Sequence, residues 1–128
     1  SKQLTRNPEP ATCSSISLLA PNSLLLTSPF VIPYEPSWAK AVYHLYILRV
    51  REREKLQAHL NENGIATGLH YPVPVHLQKA YEGRGFKEGD FPVTEKAAKE
   101  ILSLPMFPQL TDDQIAYVVS KIKEFYSK

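Results

Sequence analysis

One stretch of this chain, residues 64–81, restricts the fold most because it separates two helical patterns with residues that fix the backbone. It contains two glycines, two prolines, two histidines and two tyrosines. Glycine admits backbone angles that other residues avoid, and proline locks its own φ, so this stretch is expected to follow a fixed, non-repetitive path. Polar aromatic side chains concentrated in such a loop indicate a functional surface. The candidate site residues are therefore sought here.

Composition places the 128 residues in the range of one globular domain and argues against several function classes. The net charge of +2 is small, and basic and acidic residues alternate at 51–55, whereas a nucleic-acid interface needs a one-sided basic patch. The single cysteine, Cys13, cannot form an internal disulfide. No apolar run reaches about 18 residues, the length of a membrane span. We therefore expect a cytoplasmic protein with neither nucleic-acid nor membrane partners.

Hydrophobic periodicity predicts both strands and helices. Aromatic and β-branched residues at 42–50 indicate a strand, and residues 53–63 form a helix that ends where Gly64 favours a left-handed cap. The elements predicted after it are a strand at 65–70, a short helix at 77–81, a helix at 94–102 with Ile101 and Leu102 facing inward, and an extended segment at 104–106.

The last helix has the clearest start signal in the chain. Thr111 is followed three residues later by Gln114, which matches a capping box. Taken together, the elements predict an α+β fold, with a small sheet of two or three strands and helices packed on one side.

Five segments stand out together by their order and spacing. They read HLYILR at 44–49, LQAHLNENGI at 56–65, GLHYPVPVHLQ at 68–78, GDFPVTE at 89–95 and LSLPMFP at 102–108. In this order they resemble the C-terminal domain of the DegT/DnrJ/EryC1/StrS family, aminotransferases that use pyridoxal phosphate (PLP) and act on nucleotide-linked sugars. The resemblance covers residues 30–128. Residues 1–29 match nothing expected upstream of that domain, and we expect a poorly ordered or divergent arm.

The resemblance implies that the chain is the C-terminal part of a larger enzyme. In the family, the lysine that binds PLP and the phosphate site belong to the large N-terminal domain. None of the ten lysines here lies in a similar context. We therefore expect this chain to bind no cofactor and to be inert on its own. The full-length enzyme would use PLP, a nucleotide-linked keto-sugar and an amino donor, and would form a homodimer.

The resemblance also implies a role for residues 70–76, because in the family this loop faces the active-site cleft. His70 and Tyr71 are the best candidates for contacts with substrate or cofactor, since imidazole donates or accepts near neutral pH and tyrosine combines an apolar face with a polar tip. His76 is a third candidate for the pocket, with capping or packing of the following short helix as its alternative role. From the residues alone, packing would also account for His70 and Tyr71. No catalytic residue is predicted.

Three alternatives concern the same chain: a metal site, a binding or regulatory module, and a hydrolase. A metal site is not expected, because two prolines separate His70 from His76 and no third ligand is evident. A stand-alone binding or regulatory module that kept this fold stays open as the alternative function. A serine hydrolase would need a GxSxG turn, which the sequence lacks.

Overall fold

A computed structural model describes residues 28–127, which form a three-stranded antiparallel sheet and three α-helices. The strands and helices in chain order are β1 (Phe30–Val31), β2 (Tyr46–Val50), α1 (Arg53–Glu62), α2 (Pro92–Glu100), β3 (Ile101–Leu104) and α3 (Asp112–Tyr126). Two 3₁₀ turns, Val75–Leu77 and Lys79–Tyr81, lie between α1 and α2. Residues 1–27 of the predicted arm lie outside the described residues.

One face of the sheet carries the hydrophobic core. The central strand β2 pairs with β1 on one side and β3 on the other, and Leu48 lies opposite Leu102. Successive side chains point to opposite faces of a strand, so Leu48 and Val50 face the same layer. The buried core consists of Leu48, Val50, Leu56, Leu60, Ile65, Leu102 and Ile122. Helices α1 and α3 supply three of these residues, which confirms the predicted α+β fold with helices packed on the sheet.

The end of α1 explains how the chain enters the loop at 64–81. Gly64 has a φ of 74°, which confirms the predicted left-handed cap. The N–H of Gly64 donates to Asn61 O at 3.0 Å, and the N–H of Ile65 donates to Leu60 O at 2.9 Å. This pair of bonds is a Schellman motif, and the buried side chains of Leu60 and Ile65 provide its usual apolar contact.

The start of α3 confirms the predicted capping box. The N–H of Gln114 donates to Thr111 Oγ1 at 3.3 Å, and the N–H of Thr111 donates to Gln114 Oε1 at 3.0 Å. Each side chain thus satisfies a backbone donor that the helix leaves without an internal partner.

The strand predicted at 42–50 was wrong at its start, because β2 begins at Tyr46. Pairing begins there, since Tyr46 lies opposite Leu104, the last residue of β3. Before it, Tyr43 has a φ of 47° and Val42 is 93% exposed. Aromatic and β-branched residues favour a strand only where a partner strand accepts them.

The boundary between α2 and β3 also differs from its prediction. The helix starts at Pro92, at a position where proline's missing N–H is no loss, and ends at Glu100. Ile101 and Leu102 were predicted on the inner face of this helix, but they pair with β2 in the sheet. The extended segment therefore starts at 101 rather than at 104.

The segments around the two prolines form less regular structure than predicted. The strand predicted at 65–70 is reduced to one bridge, between Gly68 and Ser103. A ladder cannot continue far beyond it, because Pro72 and Pro74 lack the N–H that pairing requires. The short helix predicted at 77–81 is replaced by the two 3₁₀ turns, the first of which starts at Val75.

Candidate functional site

Backbone pairing to β3 fixes the start of the candidate loop. The N–H of Gly68 donates to Ser103 O at 3.0 Å, and the N–H of Ser103 donates to Gly68 O at 2.8 Å. Thr67, the residue before Gly68, accepts a hydrogen bond at its Oγ1 from Gln57 Nε2 of α1 at 3.1 Å. The backbone that leads to His70 is therefore tied to both the sheet and a helix.

The His70 ring lies over Gly68 and is bonded to the sheet. Its Nδ1 lies 2.9 Å from the hydroxyl of Ser103, a side chain that is 4% exposed. A Cβ on residue 68 would come within 2.6 Å of His70 Cε1, so glycine at this position leaves the space that the ring occupies. Gly68 thus provides the space for the imidazole and Ser103 provides its hydrogen-bond partner, while the ring itself stays partly exposed.

Tyr71 stands beside His70 and faces solvent. Its side chain is 71% exposed, the two rings meet edge to face with centroids 5.6 Å apart, and the peptide bond between the residues is cis. Tyr71 forms one wall of an open surface depression. The depression is lined by Tyr71, Pro72, Val73, Leu77, Gln78 and Lys79. The structure therefore brings the first two predicted site residues together at an accessible surface.

His76 has a different environment from the other two candidates. It is 9% exposed, its Nε2 lies 3.0 Å from Glu95 Oε1, and its ring centroid is 4.7 Å from that of Phe91. It lies within the first 3₁₀ turn, so its alternative role in packing has a clear set of partners. A contact between His76 and a substrate stays a prediction.

Sequence reasoning missed Glu95, the buried acid that His76 contacts. Its carboxylate accepts hydrogen bonds from the N–H of Gly89, at 2.9 Å to Oε1 and 3.0 Å to Oε2, and from the N–H of Phe91, at 3.2 Å. Burial favours the neutral acid and raises its pKa, but the bonds from Gly89, Phe91 and His76 outweigh burial and hold the pKa of Glu95 below its ordinary value.

A local signal for Glu95 was present in the sequence. It lies in the first turn of α2, where a carboxylate is stabilised by the free N–H groups and the positive end of the helix. Phe91, the residue before the helix, offers no side-chain oxygen to cap it. A helix start without a cap residue, followed by an acid in its first turn, indicates an acid that folds back onto the backbone.

The described residues do not fit an attachment site for PLP. Such a site needs a lysine amine held in an enclosed pocket beside a phosphate cradle. The lysines between residues 28 and 127 lie at the surface, and several of them pair with carboxylates. These pairs are Lys55–Glu52, Lys96–Glu100, Lys99–Glu88 and Lys121–Glu124. The lysines at residues 28–127 are therefore not placed as a PLP attachment site requires.

A second depression lies between the end of α1 and the side of α3. It is open and mainly apolar, and it is lined by Gly64, Ile65, Ala66, Pro105, Phe107, Leu110, Asp113, Gln114, Tyr117 and Val118. Within residues 28–127, no group of three or more metal-ligating side chains comes together, and none of the helices there could cross a membrane.

Several known proteins are similar to this chain in sequence. A pleiotropic regulatory protein of Geobacillus stearothermophilus is 53% identical over 96 residues, which is 75% of this chain and 26% of that protein. A Streptomyces venezuelae enzyme, dTDP-3-amino-3,4,6-trideoxy-alpha-D-glucose transaminase, is 43% identical over 84 residues, which is 66% of this chain and 22% of that protein. The chain thus spans about a quarter of the length of these relatives.

The fold of the chain also matches that of a solved structure. The S. venezuelae protein DesV, solved in complex with a ketimine intermediate, matches with a TM-score of 0.75 and 36% identity over 84% of this chain and 29% of that one. The model of the DegT/DnrJ/EryC1/StrS aminotransferase family matches residues 22–123. The chain therefore belongs to the DegT/DnrJ/EryC1/StrS aminotransferase family.

Proposed function

We propose that this chain is the C-terminal small domain of a PLP-dependent aminotransferase that acts on nucleotide-linked keto-sugars. The observation that carries the proposal is the paired His70 and Tyr71, fixed at an accessible surface of a domain that matches DesV over 84% of this chain. PLP, when bound by the rest of such an enzyme, acts as the electron sink for transfer of the amino group.

In this proposal, the chain contributes one wall of the substrate pocket. The Ser103 hydroxyl occupies His70 Nδ1, so His70 Nε2 is the ring nitrogen left to contact a ligand. The exposed Tyr71 ring offers a flat apolar face and a hydroxyl, a combination that suits a sugar or a base. Because the described lysines do not fit PLP attachment, we propose that the chain alone is catalytically inert and binds no cofactor.

Exposed apolar residues before β2 support a place in a larger protein. Tyr34 and Trp38 are 87% and 86% exposed, and Val42 is 93% exposed. Water-exposed aromatic residues clustered in one short segment mark a surface that another domain or subunit covers. We propose that the large domain, or the second subunit of a homodimer, covers this segment. A cytoplasmic location stays a prediction.

A stand-alone regulatory or binding module is the second candidate function. The observation in its favour is that the Geobacillus relative, which is 53% identical to this chain over 96 residues, is named a pleiotropic regulatory protein. Sedimentation of the 128-residue chain separates the two. A part of a larger enzyme should self-associate as its concentration rises, whereas a module should stay a monomer or form one defined dimer.

A domain exchange tests the proposed function directly. Residues 30–127 would replace the matching C-terminal part of the S. venezuelae transaminase, which is 43% identical to this chain over 84 residues. We expect the chimera to retain PLP and to transaminate. His70→Gln and Tyr71→Phe should each lower kcat/KM roughly three- to tenfold, the equivalent of one hydrogen bond.

The matched control is Tyr117→Phe, which removes a hydroxyl that donates to Asn63 O and should leave kcat/KM unchanged. A chimera that retains PLP but does not turn over would contradict the proposal. A chimera that loses PLP would contradict it too, because the domain would not have replaced its counterpart.

A further inference from the structure

The lobe that carries the candidate site has a polar interior. Over residues 70–97, here called the loop lobe, the two side chains that the structure buries are His76 and Glu95. Phe91, whose ring packs against that of His76, and Phe86, whose ring packs against that of Phe91, are 45% and 46% exposed. Segments of this length are normally held in place by buried apolar side chains. In the loop lobe, the bonds made by these two polar groups take over much of that role.

Glu95 joins three separate segments of the lobe. Residues 82–91 form a glycine-rich loop with Gly83, Gly85 and Gly89. The Glu95 carboxylate holds the N–H groups of Gly89 and Phe91, which fixes the end of this loop and the start of α2. The same carboxylate holds His76, which belongs to the 3₁₀ turn Val75–Leu77. A carboxylate with three donors is also a fully compensated buried charge.

The 3₁₀ turn transmits this anchoring to the candidate site. Leu77 and Gln78, which directly follow His76, line the same depression as Tyr71. Gln78 Nε2 reaches back to Val73 O at 3.5 Å, across the loop. A shift of His76 would therefore move one wall of the depression relative to Tyr71.

We infer that Glu95 is a positioning residue which, through His76, holds the Tyr71 depression against the N-terminus of α2. The inference rests on the proposed function only for what the depression binds. It adds that the geometry of the pocket wall depends on an acid that does not face the depression itself.

Two substitutions in the full chain dissect this anchoring by NMR of the backbone amides and aromatic rings. Glu95→Gln keeps the size of the side chain and removes its charge, so signals should shift at Gly89, Phe91 and Tyr71. His76→Phe keeps a ring in place and removes the bond to Glu95, so the Tyr71 signals should shift while the Gly89 amide stays. Glu88→Gln, in the same loop and paired with the exposed Lys99, is the matched control. It should leave the Phe91 and Tyr71 signals unchanged, and the Gly89 amide is left out of this comparison because it is bonded directly to residue 88.

The outcomes separate the anchoring from the proposed function. Unchanged Tyr71 signals in both variants would overturn the inference, whatever the chimera does. If Tyr71 shifts, Glu95→Gln in the transaminase chimera should lower kcat/KM about ten- to a hundredfold with PLP retained, as a displaced pocket wall does. Shifted Tyr71 signals with unchanged kcat/KM would overturn the pocket role of the depression and leave the anchoring in place. If Glu95→Gln fails to fold, the Tyr71 signals of His76→Phe alone test the inference, because this variant keeps the bonds from Gly89 and Phe91 to Glu95.

Discussion

Replacing Gly68 with alanine should push the His70 ring away from Ser103. The new Cβ would lie 2.6 Å from His70 Cε1, which is closer than real Cβ atoms approach. The ring is at the end of its side chain, so it can move, but it then loses the 2.9 Å bond to Ser103 Oγ. A bond of this kind contributes about 0.5–1.5 kcal/mol to the free energy of unfolding. Alanine also restricts the unfolded chain, which offsets about 0.4–1 kcal/mol of the loss.

A double-mutant cycle removes that offset. Ser103→Ala in the natural sequence should cost about 1 kcal/mol of the free energy of unfolding, because it deletes the partner of the His70 ring. In the Gly68→Ala background the bond is already broken, so the same substitution should cost close to zero. The expected coupling is therefore about 1 kcal/mol, measured as the difference between urea unfolding midpoints at constant m.

A pair without contact provides the control for this cycle. Ser120 lies on α3, where its hydroxyl donates to Tyr117 O. Gly68→Ala and Ser120→Ala should give additive changes in the free energy of unfolding, to within about 0.5 kcal/mol. Equal costs of Ser103→Ala in both backgrounds would refute the reasoning, since the His70 ring would then not depend on the space above Gly68.

The other predictions concern stability and titration. Thr111→Ala should lower the free energy of unfolding by about 1 kcal/mol and Thr111→Ser should restore it, whereas equal urea midpoints for both would contradict the capping box. Leu60→Ala should cost about 2–5 kcal/mol in thermal or urea unfolding, because Leu60 is 0% exposed in the core, and a loss under 1 kcal/mol would contradict that burial. Burial, helped by the charge of Glu52, raises the pKa of Tyr126 from 10.0 to about 12. The neutral phenol is the form that folding favours, so its contribution is complete below pH 10 and is lost as the pH rises toward about 12. An absorbance titration should therefore lose its latest step in Tyr126→Phe, and an unchanged titration would refute the shift.

The sequence predicted most reliably those features that local chemistry decides. Gly64 ends α1 and Thr111 starts α3 because each requirement lies within a few residues of chain. Ile101 shows the opposite case, since its apolar pattern suits a helix and the pairing with β2 makes it a strand. That pairing joins segments about 50 residues apart, and no local pattern contains it.

The candidate site likewise combines residues that the sequence predicted with residues whose roles depend on the fold. The sequence singled out His70 and Tyr71 by residue type, and the structure adds Gly68 and Ser103 as the residues that hold the imidazole. Ser103 lies in β3, so its relation to His70 depends on the fold. Glu95 was missed because its burial depends on the return of the glycine-rich loop, whose Gly89 N–H donates to its carboxylate; the uncapped start of α2 was the one local signal for such an acid.

The central claim, that this chain is one domain of an enzyme whose cofactor is held elsewhere, is tested most directly by PLP itself. The 128-residue chain would be incubated with PLP, reduced with borohydride and mapped by peptide mass spectrometry. We expect no stoichiometric adduct on any one lysine and no spectral change when an amino donor is added. One lysine labelled stoichiometrically, with an absorbance spectrum that responds to the donor, would contradict the account and show that this chain forms a cofactor site of its own.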